Sequence, residues 1–306
     1  MRILCSTLNQ SKEDWLKVRK IGIGGSEAAT VAGLNPWASP LNVYLDKMTD
    51  EIEDIDNERM RIGRDLEDYV AQRFQDETGL KVRRMNQMLQ HDEHDFMLAN
   101  LDRVIVGEKA FLECKTTGSY GKKEWENGIP MHYQLQCLHY MAVTGYEYCY
   151  IACLIGNEKF IWHRIDRDEE TIQMLIDIER DFWNKHIIAQ VPPPADGSVQ
   201  YDEILKSRFP QSNGEQIELD LSYAEKIKRR LELKELIDTM EKEVNQIDQE
   251  IKDELQENEA AVCGDYLISW KSQTRNSVDA TRLKKELPDI TEKYMKSSVS
   301  RVFKIK

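Results

Sequence analysis

No stretch of this sequence is apolar for long enough to cross a membrane, and the N-terminal "MRILCSTLNQSKEDW" has too short an apolar part for a secretory signal. Both absences lead to the expectation of a soluble, cytoplasmic protein. The six cysteines (Cys5, Cys114, Cys137, Cys149, Cys153, Cys263) form no C-x-x-C pair and match no zinc spacing, and three lie in apolar segments. Reduced, buried thiols are expected rather than disulfides or an iron–sulfur cluster. A basic balance is also missing. The 306-residue chain has a formal charge of −13, whereas phosphate binding normally leaves a positive footprint. The deficit does not exclude nucleic acid, because the charge is uneven: residues 215–259 hold 15 acidic and 7 basic side chains, and residues 261–306 hold 10 basic and 5 acidic. Carboxylates grouped around a metal in the first 214 residues would no longer repel a phosphate.

A nucleotide-binding fingerprint is absent as well. "RKIGIGGSEAATVAGLNPW" (residues 19–37) sets Gly22, Gly24 and Gly25 before an alanine-rich helix, but no glycine follows at the Rossmann offset and no Gly-Lys-Ser/Thr completes a P-loop. The spacing instead predicts Ser26 as the N-cap of a helix whose first turn is Glu27 to Val31, with free N–H groups suited to an anion. Arg19, seven residues upstream on a short helix (Lys12 to Lys20), supplies a matching charge. A tight helix-loop-helix corner is the other reading of this stretch.

The chain is long enough for one sizeable core and a second small unit. Residues 1–80 read as helical, ending in an amphipathic segment from Asn57 to Thr78 stopped by Gly79. "RRMNQMLQ", "FMLANLDRVIVG" and "KAFLECKTT" read as a small antiparallel meander. A helix at Met131 to Thr144, strands in "EYCYIACLIG" and "KFIWHRI", and a helix from Asp168 to His186 complete a mixed α/β unit with a central sheet, residues 1–190. "VPPPADGSVQ" opens a proline-rich linker, residues 191–214. Leu233, Ile237, Met240, Val244, Ile247 and Ile251 then follow a heptad spacing, which predicts a long helical arm over residues 215–260 with a partner in the same chain or another copy. Residues 261–306, with strands expected in "DYLISWKSQT" and "SRVFKIK", read as a small basic α+β appendage.

Four features between residues 63 and 140 carry chemistry. "LANLDRVI" places Asp102 on a strand, and "FLECKTT" places Glu113 and Lys115 on the next, facing one side, with Cys114 facing the other. "IGRDLEDYV" puts Glu67 on a helix, and "HYQLQCLHY" presents Gln134 and Tyr140 on another. Such a set suits metal-assisted phosphodiester hydrolysis. Hard carboxylate oxygens bind Mg²⁺ or Mn²⁺, and two ions about 4 Å apart assist the attacking and leaving oxygens. Lys115 would orient the water or help deprotonate it. A lone E-x-K is common on solvated hairpins, but the apolar strands on both sides make these charges costly to bury without metal.

Taken in order, "GIGGSEAA", "GLNPWASPLNVYLDKM", "GRDLEDYVAQRF", "ANLDRVI", "FLECKTT" and "YQLQCLHYMAVTG" resemble the YqaJ-like viral recombinases, relatives of phage lambda exonuclease within the PD-(D/E)XK nuclease superfamily. The resemblance covers residues 10–190. It departs from the superfamily pattern in that Asn100-Leu101-Asp102 replaces Pro-Asp, and nothing familiar covers the C-terminal third. It implies a restriction-endonuclease-like core, with Asp102, Glu113 and the backbone carbonyl of Cys114 as metal ligands. Glu67 would be a further acidic group there, Lys115 the catalytic lysine and Gln134 a polar helper. It also implies that Arg19 and Ser26 hold the 5′-phosphate of a DNA end. The implied activity is Mg²⁺-dependent 5′-to-3′ digestion of one strand of linear double-stranded DNA, which exposes a 3′ strand for a phage single-strand annealing protein. A ring-shaped trimer follows from the same analogy. An endonuclease or repair nuclease of other polarity, and a catalytically silent DNA-end-binding scaffold, are the alternatives.

Other residues carry ordinary explanations. His91 and His94 read as a solvated turn, and His132 and His139 as packing or capping groups as readily as acting ones. Trp37 would stack on a frayed base or wedge a duplex end, although a tryptophan closing a core is favoured. Lys122 and Lys123, near Trp125 in "SYGKKEWENG", are candidate contacts to a DNA backbone or plain surface.

Overall fold

A computed structural model describes residues 1–51 and 57–305, which fall into two units, Met1–Ser207 and Arg208–Lys306. In chain order the first unit has β1 (Arg2–Ser6), α1 (Lys12–Arg19), β2 (Ile23–Gly24), α2 (Gly25–Val31), α3 (Pro40–Met48) and α4 (Glu58–Thr78). Next come β3 (Val82–Arg84), β4 (Gln87–Gln90), β5 (Met97–Ala99), β6 (Arg103–Ile105) and β7 (Ala110–Thr117). A short α5 (Lys122–Glu126) leads to α6 (Met131–Thr144), β8 (Tyr148–Ile155), β9 (Lys159–Asp166), α7 (Glu169–Phe182), a π-turn at Trp183–Ile188 and α8 (Val199–Arg208).

Two sheets organise these elements, in the orders β1-β4-β5-β2 and β3-β6-β7-β8-β9. The expected single meander is therefore divided between them. The chain leaves the first sheet after Ala99 and enters the second at Arg103, so Asp102 lies in a three-residue crossover rather than on a strand. The apolar residues on either side of "NLD" belong to different sheets, which periodicity cannot reveal. The N-terminal region is not wholly helical either. β1 pairs antiparallel with β4, a partner more than 80 residues away that local sequence does not announce. Of the stretch expected to be helical, residues 52–56 lie outside the described residues. α4 is bounded as expected, with the Asn57 side chain accepting from Met60 N–H and Gly79 left-handed at φ 75°.

β7 and β8 pair in parallel along eight residues, joined through α6. Their alternation divides the core. Phe111, Cys149, Ile151, Cys153 and Ile155 face the larger cluster with α6, while Ala110, Leu112 and Ala152 meet Val70, Ala71 and Phe74 of α4. Cys137, Cys149 and Cys153 are buried free thiols, as expected. α6 is buried on every face from Leu135 to Thr144, so it is the pillar on which α2, α7 and β5 rest. The unit does not end at the prolines. Tyr201 and Ile204 of α8 pack on its core, and Gln200 Nε2 donates to Pro36 O at 2.8 Å.

In the second unit are α9 (Ser222–Leu255), the hairpin β10 (Ala260–Cys263) and β11 (Tyr266–Ser269), α10 (Ala280–Glu286) and α11 (Pro288–Tyr294). The heptad-spaced residues lie on α9, where Leu233, Ile237, Met240, Val244 and Ile247 are exposed. The strand expected in "SRVFKIK" does not form over residues 300–305, where no partner strand is present; Lys306 lies outside the described residues. Among the described residues no helix is long and apolar enough to cross a membrane.

One polar pair sits in the core. His139 of α6 and Glu179 of α7 are wholly buried, with Nδ1 of the ring 2.8 Å from Glu179 Oε1 and Nε2 2.8 Å from Leu98 O on β5. Both ring nitrogens face oxygen atoms, an arrangement that favours the doubly protonated ring beside a Glu179 carboxylate. Burial acts to discharge it, but the Glu179 charge and the two hydrogen bonds outweigh that and raise its pKa. With a raised folded pKa, the pair's contribution to stability is complete below the ordinary histidine value of about 6.5 and is lost as pH rises through the folded value. Glu179→Gln should cost on the order of 3–5 kcal/mol in urea unfolding at mildly acidic pH, and the gap to wild type should narrow with rising pH. A pH-independent difference would contradict the charged pair.

Candidate active site

β7 carries the centre of the site. Glu113, 3% exposed, and Lys115 face α6, and Lys115 Nζ donates to Glu113 Oε1 at 2.7 Å and to Gln136 Oε1 at 2.9 Å. Gln136 Nε2 closes the ring by donating to Glu113 Oε1 at 2.6 Å, and it lies 3.3 Å from the Tyr140 hydroxyl. The Lys115 ammonium also sits 4.8 Å from the centre of the Tyr133 ring. Asp102 comes from the crossover. Pairing of β6 with β7 stops at Arg103 opposite Leu112, and the Cys114 N–H just beyond donates to Asp102 Oδ2 at 2.8 Å. The side chain of Asp102 thus takes the place of a ladder acceptor.

Gln134, expected at this site, is not there. Its Nε2 donates to Ile129 O at 2.6 Å, at the start of α6. Two residues of helix turn the side chain about 200°, so Gln134 and Gln136 face nearly opposite ways. The signal was in the spacing, because Gln136, not Gln134, stands one turn before Tyr140.

Glu67 of α4 approaches the site but is engaged by Arg103, a buried guanidinium that also donates to Asp68 Oδ1 and to Asp102 O, both at 2.6 Å. Arg103 was not foreseen, being the one charged residue inside an apolar strand. Among the described residues no three carboxylate, imidazole or thiol side chains converge at metal-holding spacing. The pair Asp102 and Glu113 is nevertheless under electrostatic load. Burial first, and then the charges of Glu113 and Glu67, push the Asp102 carboxyl well above the usual carboxylate range. Glu113 is raised as well, by burial foremost, against the pull of Lys115. For Lys115, burial would lower the pKa, but Glu113 and Asp102 prevail and hold it above the ordinary lysine value. Glu113 Oε2 is buried with no hydrogen-bond partner.

The glycine loop adjoins this centre. β2 pairs in parallel with β5, and α2 starts at Gly25, with Gly24 as its N-cap residue. Ser26 is therefore inside the helix and is not the expected cap; the Gly24 N–H is capped by Glu27 Oε2 at 2.8 Å. That leaves the Ser26 hydroxyl to accept from Arg19 Nη2 at 3.2 Å, and the Arg19 guanidinium lies over the Trp15 ring at 4.8 Å. A Cβ on Gly25 would come within 2.4 Å of the Tyr140 ring, so glycine is required where the start of α2 meets α6. A single cavity of about 170 Å³ is lined by Arg19, Ser26 and Gly25 together with Asp102, Glu113 and Gln136.

A broader cleft of about 850 Å³ is lined by Trp37, Arg59, Thr116, Thr117, Tyr120 and Tyr133, among others. Trp37 is 68% exposed and closes no core, contrary to the favoured expectation, since it sits in a turn with Pro36 between two helices. Trp125 is the buried one, stacked on Tyr133. Lys123 is exposed, and Lys122 lies 3.5 Å from Glu158; neither lines this cleft. The His91 and His94 rings stack in a turn, in keeping with the structural reading of them.

A sequence model of the YqaJ-like viral recombinase domain matches residues 14–147, which contain every residue of the cavity. The uncharacterized protein YqaJ of Bacillus subtilis (strain 168) is 40% identical over 309 residues, spanning 99% of this chain and 97% of its own. The chain belongs to the YqaJ family. Among solved structures, the alkaline exonuclease LHK-Exo from Laribacter hongkongensis superposes with a TM-score of 0.51 at 20% identity, over 64% of this chain and 99% of that one. Its complex with dAMP gives the same TM-score at 23% identity, over 64% and 97%. This YqaJ-family chain thus has the PD-(D/E)XK restriction-endonuclease-like fold, with a long C-terminal helix added.

Gly25→Ala should lower stability by about 1–3 kcal/mol through overpacking against Tyr140, measured by thermal unfolding. Gly24→Ala, whose Cβ approaches nothing closer than 3.7 Å, should stay near wild type. Equal behaviour of the two would refute the close approach of α2 to Tyr140.

Proposed function

We propose that this chain is a metal-dependent exonuclease that digests one strand of linear double-stranded DNA from its 5′ end. The observation that carries the reading is the shared cavity, in which an Arg19–Ser26 pair suited to a phosphate lies with the buried Asp102–Glu113 pair. Membership of a family described by viral recombinase domains, and a fold shared with an alkaline exonuclease, support it.

The donor set fits a hard divalent cation. Glu113 keeps a buried oxygen without a partner, and burial raises both Asp102 and Glu113 despite the nearby Lys115 ammonium, so a divalent cation held there would offset the cost of their charge. Asp102, Glu113 and the Cys114 carbonyl would hold Mg²⁺ or Mn²⁺, with Glu67 as a further acidic group nearby. When bound, such an ion lowers the pKa of a water and neutralises phosphodiester charge. The chain's own groups do the rest. Lys115, braced by Glu113 and Gln136, presents its ammonium to the negative charge that grows on the phosphoryl oxygens. Gln136 fixes the lysine and the Glu113 carboxylate in one geometry. Arg19 and Ser26 take the terminal 5′-phosphate, a charge-assisted contact that sets polarity. The partners of this reading are double-stranded DNA ends and a phage-type single-strand annealing protein, with self-association through a trimer.

Lys115→Ala should reduce cleavage by about a thousandfold or more while DNA binding persists, and Gln136→Leu should reduce it by about ten- to a hundredfold, with Gln134→Ala near wild type. A Gln134 variant more damaging than Gln136→Leu would reverse the assignment. Purified protein with Mg²⁺ on end-labelled duplexes bearing a 5′-phosphate or a 5′-hydroxyl, beside closed circles, tests the activity. Mononucleotide release from phosphorylated 5′ ends is expected. Cutting of circles, or indifference to the 5′ group, would favour an endonuclease or a nuclease of other polarity.

A further inference from the structure

Lys47 of α3 has a side chain with no exposed surface. Its ammonium donates to both oxygens of Glu27, at 2.8 and 2.9 Å, and to the Arg19 carbonyl at 3.0 Å; the half-exposed Asp46 carboxylate, 3.4 Å away, is also paired by Lys20 at 3.3 Å. Lys47 has no route to a ligand in the cavity. Glu27 in turn caps the Gly24 N–H and lies 3.5 Å from the Arg19 guanidinium. This arrangement raises an electrostatic problem for any anion site here. A carboxylate beside Arg19 cancels its charge and repels an incoming phosphate, so the cap that shapes the loop opposes the ligand that the loop would hold. The buried ammonium removes the conflict. With Lys47 on its far side, Glu27 is neutralised from within the protein, and the guanidinium keeps its net charge for the cavity. The hydrogen bond to the Arg19 carbonyl also ties the end of α1 to α3.

We propose that Lys47 is a positioning residue for phosphate specificity, acting through Glu27 to leave Arg19 available to a 5′-terminal phosphate. This rests on the assignment of Arg19 and Ser26 as the phosphate-holding pair. The two residues belong together by charge, so removing Lys47 alone should damage recognition more than removing both.

The test is a double-mutant cycle read as the ratio of kcat/KM for a 5′-phosphorylated duplex to that for the same duplex with a 5′-hydroxyl, with folding checked by circular dichroism. Lys47→Met should lower the ratio on the order of tenfold, the effect of one unit charge in a partly shielded site, mainly through KM of the phosphorylated substrate. Glu27→Gln combined with Lys47→Met should recover most of it, a recovery that a purely packing role for Lys47 would not produce. If Lys47→Met fails to fold, Glu27→Gln alone tests the same electrostatics from the other side and should raise the ratio. An unchanged ratio in Lys47→Met, an equal loss in single and double variants, or a fall in Glu27→Gln would overturn the proposal while leaving the phosphate pair intact. A wild-type enzyme with no preference for the phosphorylated end would overturn the phosphate pair itself, and this proposal with it.

Discussion

The structure turns on the cost of burying charge where β7 meets α6. Glu113 is buried in this seam and Asp102 and Lys115 are half-buried, and the ammonium offsets two carboxylates that repel each other. Gln136 spends both ends of its amide on that seam, accepting from Lys115 and donating to Glu113. The surrounding fold supplies rigidity for it. β7 is held on one side by the full parallel ladder of β8 and on the other by β6, and α6 is buried around its whole circumference. The His139–Glu179 pair then fixes α6 to α7 and to β5, the strand from which the chain departs toward Asp102.

Ion pairs serve different purposes in different places. Arg103 draws Glu67 and Asp68 toward the backbone of Asp102, so α4 and the crossover are joined by a cation that the cavity itself does not display. Lys47 does likewise for the glycine loop. The overall negative charge of the chain is thus a poor guide to the local field, because buried cations pair with the acidic groups Glu27, Glu67 and Asp68 around the cavity.

What the sequence disclosed followed from local rules. The helix from Glu58 to Thr78 had its cap and its stop, α6 its apolar run, and Glu113 and Lys115 their common face by strand alternation. Arg19 and Ser26 also meet as expected. What stayed hidden depended on distant partners. β1 exists because β4 is available, Asp102 is off-strand because two sheets share one continuous segment, and Glu27 caps a helix that its neighbour was expected to cap. Gln136 was legible through its one-turn spacing from Tyr140, yet the choice between two glutamines needed the helix phase to be fixed. Trp37 differs again, since nothing local distinguishes an aromatic that fills a core from one that stands outside it.

The absence of a side chain at Gly25 has a geometric corollary. The backbone of α2 rests directly on the Tyr140 ring, and Tyr140 in turn reaches Gln136. The interval between Ser26, one of the proposed phosphate-holding pair, and the carboxylates is therefore gauged by atoms in contact. In the proposed reaction such a gauge would make the length of each excised fragment a mechanical constant of the enzyme, indifferent to which bases pass through it.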